Sequence, residues 1–190
     1  FSYFLCIIMI FFSSCKKEEQ ENKSINFYYW KQNFNLSETQ KSLIKINNSR
    51  KIYCKYFDIV NENGNAIPIS KIQFDSTPSI PIIPCVFIKN NVFLLNNTDE
   101  LHNKVFNLIN QINNLYNIQI NEIQFDCDWT SKTREKYFNF LNQIKQECEK
   151  RITISSTIRL HEYKYYQKTG VPPVDKVTLM CYNMGDIMED

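Results

Sequence analysis

Glycine is scarce in this chain, with three in 190 residues, and proline contributes only six. So few backbone punctuators argue against a loop-rich all-β architecture and against long disordered linkers. Histidine is equally rare, with two residues. His161-Glu162 has Tyr165 where a zinc-peptidase helix carries its second histidine, so that metal site is excluded. Neither a glycine-rich phosphate loop nor a G-x-S-x-G nucleophile elbow occurs. No motif asks for a cofactor. Neither sign of charge dominates either, since 22 basic and 20 acidic residues leave a formal charge of +2. Nucleic acid is not an expected partner, because no lysine and arginine block is interleaved with aromatics as a phosphate-tracking surface requires.

What is present begins with an apolar run over residues 1–12, then Ser13-Ser14-Cys15 and an abrupt change to Lys16-Lys17-Glu18-Glu19. A dozen apolar residues are short for a membrane-spanning helix, which needs about 20, but suit the core of a secretory signal. Small residues before a cysteine resemble the lipobox of bacterial lipoproteins, although Phe12 stands where that pattern prefers an aliphatic residue. The resemblance implies lipidation at Cys15, membrane attachment through that lipid, and residence in the cell envelope. Lysine followed by acidic residues further resembles the surface-export signal of some outer-membrane lipoproteins. The bland alternatives are the end of a transmembrane helix or an ordinary signal peptide. Residues 1–15 are therefore read as a signal segment, 16–24 as a polar tether and 25–190 as the folded domain.

Setting aside Cys6 and Cys15, five cysteines remain, Cys54, Cys85, Cys127, Cys148 and Cys181. They are odd in number, widely spaced and without a C-x-x-C pair, so they read as free thiols, mostly buried, and not as a disulfide framework or zinc site.

Strand-like runs rich in Ile, Val, Phe and Tyr fall at 25–30, 51–59, 80–88, 122–126, 152–157 and 177–182. Helical patterns alternate with them, which is the signature of repeated β-α units on a parallel sheet. Ser37 and Gln40 form a capping-box pattern ahead of Leu43 and Ile46, with Leu36 nearby. Thr98 reads as the N-cap of a helix whose apolar stripe is Leu101, Val105, Leu108, Ile112 and Leu115. Ser131 opens a third, with Tyr137, Phe138, Leu141, Ile144 and Cys148 facing inward. The segment 61–79, containing Asn63-Gly64, reads as a loop or small hairpin. About six units are present, giving an α/β fold that is an incomplete (β/α)8, TIM-barrel-like domain. Six units do not close an eight-stranded barrel, so the chain is expected to lack sequence at both ends and, as it stands, to be poorly soluble or loosely folded.

Polar residues collect at the proposed strand ends: Trp30, Asp58, Asp126, Asp128, Trp129, Thr157, Arg159, Tyr182 and Asn183. That is the face on which barrels build their sites. The densest run is IQFDCDWT, residues 123–130. Alternation along a strand puts Asp126 and Asp128 on one side and Cys127 on the other, and adjacent carboxylates raise one another's pKa, as acid-base chemistry requires. Here the chain resembles the chitinase-like barrels of glycoside hydrolase family eighteen. Their fourth strand ends in D-x-D-x-E with tryptophan before the glutamate, matched by Asp126, Asp128 and Trp129. Their sixth ends in Met-x-Tyr-Asp, matched by Met180-Cys181-Tyr182-Asn183 with Asn183 replacing the aspartate. Thr130 occupies the glutamate position, and a threonine cannot act as the general acid of glycoside hydrolysis. The chain also resembles the bacterial barrel proteins of domain of unknown function family 3142, which implies a barrel without assigning an activity.

Two functions follow. The first is a glycoside hydrolase or related enzyme, with Asp126, Asp128 and Glu162 as catalytic carboxyls and Trp30, Asp58, Trp129, Arg159, Tyr182 and Asn183 binding carbohydrate. The second is a lipoprotein that binds glycan without cleaving it, using Trp30, Trp129 and Tyr182 as stacking surfaces. His102, early in its helix, reads as a surface or boundary residue.

Overall fold

A computed structural model describes residues 24–148 and 151–181. Cys15, Tyr182 and Asn183 lie outside the described residues, as does the whole signal segment. Along the chain run β1 (Phe27–Tyr29), β2 (Asn33–Phe34), α1 (Glu38–Ile46), β3 (Ile52–Glu62), β4 (Asn65–Ile69), β5 (Gln73–Phe74), β6 (Ile82–Ile88) and a 3-10 turn (Asn90–Leu94). Then follow α2 (Leu101–Tyr116), β7 (Glu122–Asp126), α3 (Arg134–Glu147), β8 (Thr153–Arg159), α4 (Leu160–Lys164), α5 (Tyr166–Thr169) and β9 (Lys176–Met180).

Six strands lie side by side in the order β1-β3-β6-β7-β8-β9, each parallel to its neighbour. They are the six runs expected from the sequence, in chain order, and they curl into half of a TIM-barrel-like (β/α) barrel. β3 continues past the expected end at residue 59 and folds back as antiparallel β4. The hairpin turns on Asn63 and Gly64, both at positive φ, a conformation suited to this residue pair. Asn61 Oδ1 accepts the Gly64 N–H at 3.1 Å.

Period-2 alternation divides the sheet into two unlike faces. The outer face carries Val86, Ile88, Ile123, Phe125, Ile154 and Ile158, all buried. It is covered by α2 and α3, with Phe125 edge-on to Phe140 at 5.3 Å. The inner face carries Glu122, Gln124 and Asp126 from the same strand β7. It is polar.

Helix boundaries and stripes differ from expectation in instructive ways. The capping box of α1 forms, with Gln40 N donating to Ser37 Oγ at 3.3 Å and Ser37 N to Gln40 Oε1 at 2.9 Å. Leu43 and Ile46 nevertheless stay exposed, while Ile44 and Leu36 pack against the core. α2 starts at Leu101, whose N–H bonds the Thr98 carbonyl, and Thr98 is not its N-cap. Its buried line is Leu101, Val105, Ile109 and Ile112, with Leu115 73% exposed. At about 100° per residue, Ile109 swings onto the docked side and Leu115 falls just off the opposite edge. α3 starts at Arg134 after a turn over residues 131–133, not at Ser131, and buries Tyr137, Leu141 and Ile144 as expected.

All five described cysteines are free, and all except Cys181 are buried. Among the described residues, no helix is long and apolar enough to cross a membrane.

Candidate active site

Register aligns the polar residues of the inner face into levels. Asp58 pairs with Phe87, and Phe87 with Asp126, so these three sit at one height near the C-terminal ends of β6 and β7. Beneath them lie Gln124 and then Glu122, each two residues earlier on β7.

The lowest level is an ionic hub. Glu122 Oε2 accepts from Lys51 Nζ at 2.8 Å and Lys176 Nζ at 2.9 Å, and Oε1 accepts from Ser155 Oγ at 2.8 Å. Burial works against its charge, but the hydrogen bonds from Lys51, Lys176 and Ser155 prevail and hold the carboxyl below its ordinary range. For Lys51, burial is likewise outweighed by the Glu122 hydrogen bond, and its pKa rises.

The middle level ties distant strands together. Gln124 Oε1 accepts from the Tyr28 hydroxyl at 2.7 Å, and its Nε2 donates to Thr178 Oγ1 at 3.1 Å. One side chain on β7 thereby bridges β1 and β9 across the concave interior. The Tyr28 ring is stacked between Tyr53 at 5.0 Å and Trp30 at 5.4 Å, the latter almost parallel at 6°. Trp30 is 46% exposed, so this column ends in an open indole.

At the top, Asp126 Oδ1 accepts from Thr157 Oγ1 at 2.6 Å. Its pKa is raised, first by burial and then by the neighbouring Asp128 charge, against the opposing pull of the Thr157 hydrogen bond and of Arg159. Asp128 is exposed, with Oδ1 3.3 Å from Arg159 Nε. The expected juxtaposition of the two aspartates is present, and Cys127 between them is buried on the other side.

Arg159 organises the rim. Its Nη2 donates to the Trp129 carbonyl at 3.1 Å and its Nε to Glu162 Oε1 at 2.8 Å, while its backbone N–H donates to Glu162 Oε2 at 2.6 Å. Glu162 is 3% exposed with both oxygens engaged, the reciprocal half of a cap at the start of α4. The structure thus holds Glu162 as the anchor of Arg159.

Trp129 is 3% exposed and turned inward. Its ring stacks on Tyr137 at 5.6 Å and meets Phe138 at 5.7 Å, and its Nε1 donates to the Thr169 carbonyl at 3.2 Å. It forms a wall, not the open stacking surface the sequence suggested, because the aromatic face of α3 lies directly behind it. Thr130 belongs to the turn before α3. Its N–H donates to Thr133 Oγ1 at 2.9 Å, and its carbonyl accepts from Thr133 and Arg134.

Asp126, Asp128, Trp129, Arg159 and Glu162 therefore converge on one stretch of rim, whereas Trp30 just past the end of β1 and Asp58 on β3 lie three and two strands from β7. Asp58 is not at the end of its strand, since β3 continues to Glu62, and it pairs with Lys55 Nζ at 3.0 Å. His102 is a boundary residue, its Nε2 3.9 Å from Glu147. A cavity of about 600 Å³ opens beside Arg159, bounded by Trp129 and Thr130 on one side and by His161, Tyr165 and Lys168 on the other. Tyr165 and Lys168 were not singled out from the sequence. Their spacing from His161, four and then seven residues, is that of one helical face and was the available signal. Among the described residues, no group of three or more His, Cys, Asp or Glu side chains is placed to hold a metal ion.

No protein-family model matches the chain, and no curated protein matches it significantly. Solved structures do. The chain is similar to the spore cortex-lytic enzyme SleL of Bacillus megaterium QM B1551, with a TM-score of 0.54 and 16% identity over 88% of this chain and 44% of that one. It also aligns with the chitinase domain of the spore coat protein CotE from Clostridium difficile, with a TM-score of 0.49 and 14% identity over 87% of this chain and 52% of that one. The chain thus spans about half of the length of these structures or less. The likeness to SleL is one of fold, that of a curled parallel sheet in a TIM-barrel-like α/β domain.

Proposed function

We propose that the protein acts on carbohydrate through a glycoside-hydrolase-like barrel, attached to the cell envelope by a lipid on Cys15. The observation that carries this reading is the pair Asp126 and Asp128 at the C-terminal rim. One carboxyl is half-buried with a raised pKa, and the other is exposed beside a guanidinium. Two carboxyls in unlike surroundings can share a proton and stabilise developing charge beside the acid that protonates the leaving group. The open indole of Trp30 supplies a flat apolar surface for a sugar ring. Kinship with glycoside hydrolase family eighteen, or with domain of unknown function family 3142, belongs to the same proposal. So does an N-acetylglucosamine polymer as the first substrate to offer, in keeping with a neighbour that is itself a cortex-lytic enzyme.

Catalysis in this reading depends on a carboxyl beyond Glu162. With Glu162 anchoring Arg159 and Thr130 built into a turn, the completing acid comes from sequence outside the described residues, together with any contribution of Tyr182 and Asn183. A second reading, glycan binding without cleavage, is favoured by the position of Thr130. Both are tested by incubating the full-length protein with chitin and with peptidoglycan. Reducing-sugar release that Asp128→Asn abolishes supports the hydrolase. Retention on the polymer without release supports the binder, and neither release nor retention sinks both.

A further inference from the structure

The cavity beside Arg159 carries charge that the carboxylate pair does not account for. Glu162 is the one carboxylate in its wall among the described residues, and Arg159 engages both its oxygens. Opposite stands Lys168, whose ammonium makes no ion pair among the described residues. His161 lies against the Tyr165 ring at 5.0 Å, and Lys164 Nζ sits 5.3 Å from the same ring in an adjoining hollow that shares Tyr165 and Lys168. Thr130 and Ser131 add hydroxyls to the facing wall. Positive charge, hydroxyls and an aromatic ring thus surround a space within the roughly 300–1,000 Å³ typical of small-ligand sites.

The walls are held in place before any ligand arrives. Trp129 Nε1 is bonded to the Thr169 carbonyl, Arg134 Nη1 to the Lys168 carbonyl at 3.2 Å, and Thr169 Oγ1 to the Glu162 carbonyl at 3.1 Å. Gly170 ends α5 at φ +83°, and a Cβ there would meet Phe138 Cε2 at 2.9 Å, so the segment sits tightly on α3. A preorganised site loses less on binding.

We propose that this cavity is a subsite for an acidic sugar, a ring bearing a carboxylate, next to the Asp126–Asp128 pair. Lys168 and His161 recognise the carboxylate, Tyr165 contacts the ring, and Thr130 and Ser131 bond its hydroxyls. The proposal rests on the carbohydrate reading above and names the substrate class that reading leaves open.

The test uses the full-length protein and two matched probes, the β-1,4-linked N-acetylglucosamine tetramer and the same tetramer oxidised to a carboxylate at C6. Calorimetry at low salt should show the acidic tetramer bound about tenfold more tightly, the gain of one charge-assisted hydrogen bond. That ratio should shrink toward unity in 0.5 M salt, a change that needs no variant, and also in Lys168→Ala and Lys168→Gln. Equal binding of the two tetramers by the wild-type protein would overturn the subsite while leaving the carbohydrate reading intact. So would a preference that persists in the double variant Lys168→Ala, His161→Ala. If neither tetramer binds, the carbohydrate reading falls and the subsite falls with it.

Discussion

The two faces of strand β7 are unlike, though they are made by alternate residues of one pentapeptide. Outward, Ile123 and Phe125 are fully buried beneath α2 and α3. Inward, Glu122, Gln124 and Asp126 meet lysines, tyrosine and threonine. The outer face holds the fold by apolar burial, which is non-directional and tolerant of small shifts. The inner face relies on directional polar bonds, each worth little net but costly to leave unmade. The difference teaches that stability and chemistry are separated here by the pleat of the strand.

Three substitutions on β7 probe that separation. Phe125→Ala removes a ring packed against Phe140 and should cost about 3–5 kcal/mol, read as a lowered denaturant midpoint. A loss below about 1 kcal/mol would show that the outer face is not the main source of stability.

Glu122→Gln should cost less, about 2 kcal/mol at neutral pH, because Lys51 and Lys176 keep partial access to water. The folded-state pKa of Glu122 lies below its unfolded value, so its contribution is complete above the unfolded pKa of about 4.3 and is lost as pH falls through the folded pKa. Acid denaturation followed by circular dichroism should therefore be flatter in Glu122→Gln. An unchanged acid limb would show that the hub does not couple to folding.

Asp126→Asn should have the smallest effect on stability, within about 1 kcal/mol and in the stabilising direction. Its folded-state pKa is raised, so the charged form costs the fold stability as pH rises past the unfolded pKa, and an amide still accepts from Thr157. Glycan release or binding should nonetheless fall sharply. Strong destabilisation with unchanged glycan behaviour would make Asp126 a structural residue and merge the two faces into one.

Much of this was legible in the chain itself. Alternation along 122–126 separates the two faces, the apolar runs mark the six parallel strands, Ser37 and Gln40 mark a cap, and Asn63-Gly64 marks the hairpin turn. These features depend on neighbours within a few residues, where covalent geometry and local hydrogen bonding decide. The helix stripes were harder to read. Leu43, Ile46 and Leu115 are apolar and suitably spaced, but which arc of a helix is buried depends on how it docks on the sheet.

The site divides in the same way. That Asp126 and Asp128 share a side follows from the pleat alone. Residue pattern did not reveal that Glu162 is held by Arg159, that Trp129 lies against Tyr137 and Phe138, or that Lys168 faces the Thr130 turn. Those placements join β7, α3, β8 and α5, and the separations of up to about 40 residues are closed only by the parallel register of the sheet. The sequence by itself determined which residues are polar, which are apolar and on which side of a strand each stands. Tertiary structure decided which polar residues satisfy one another and which remain open to a ligand, because that choice depends on distances set only when the strands pair.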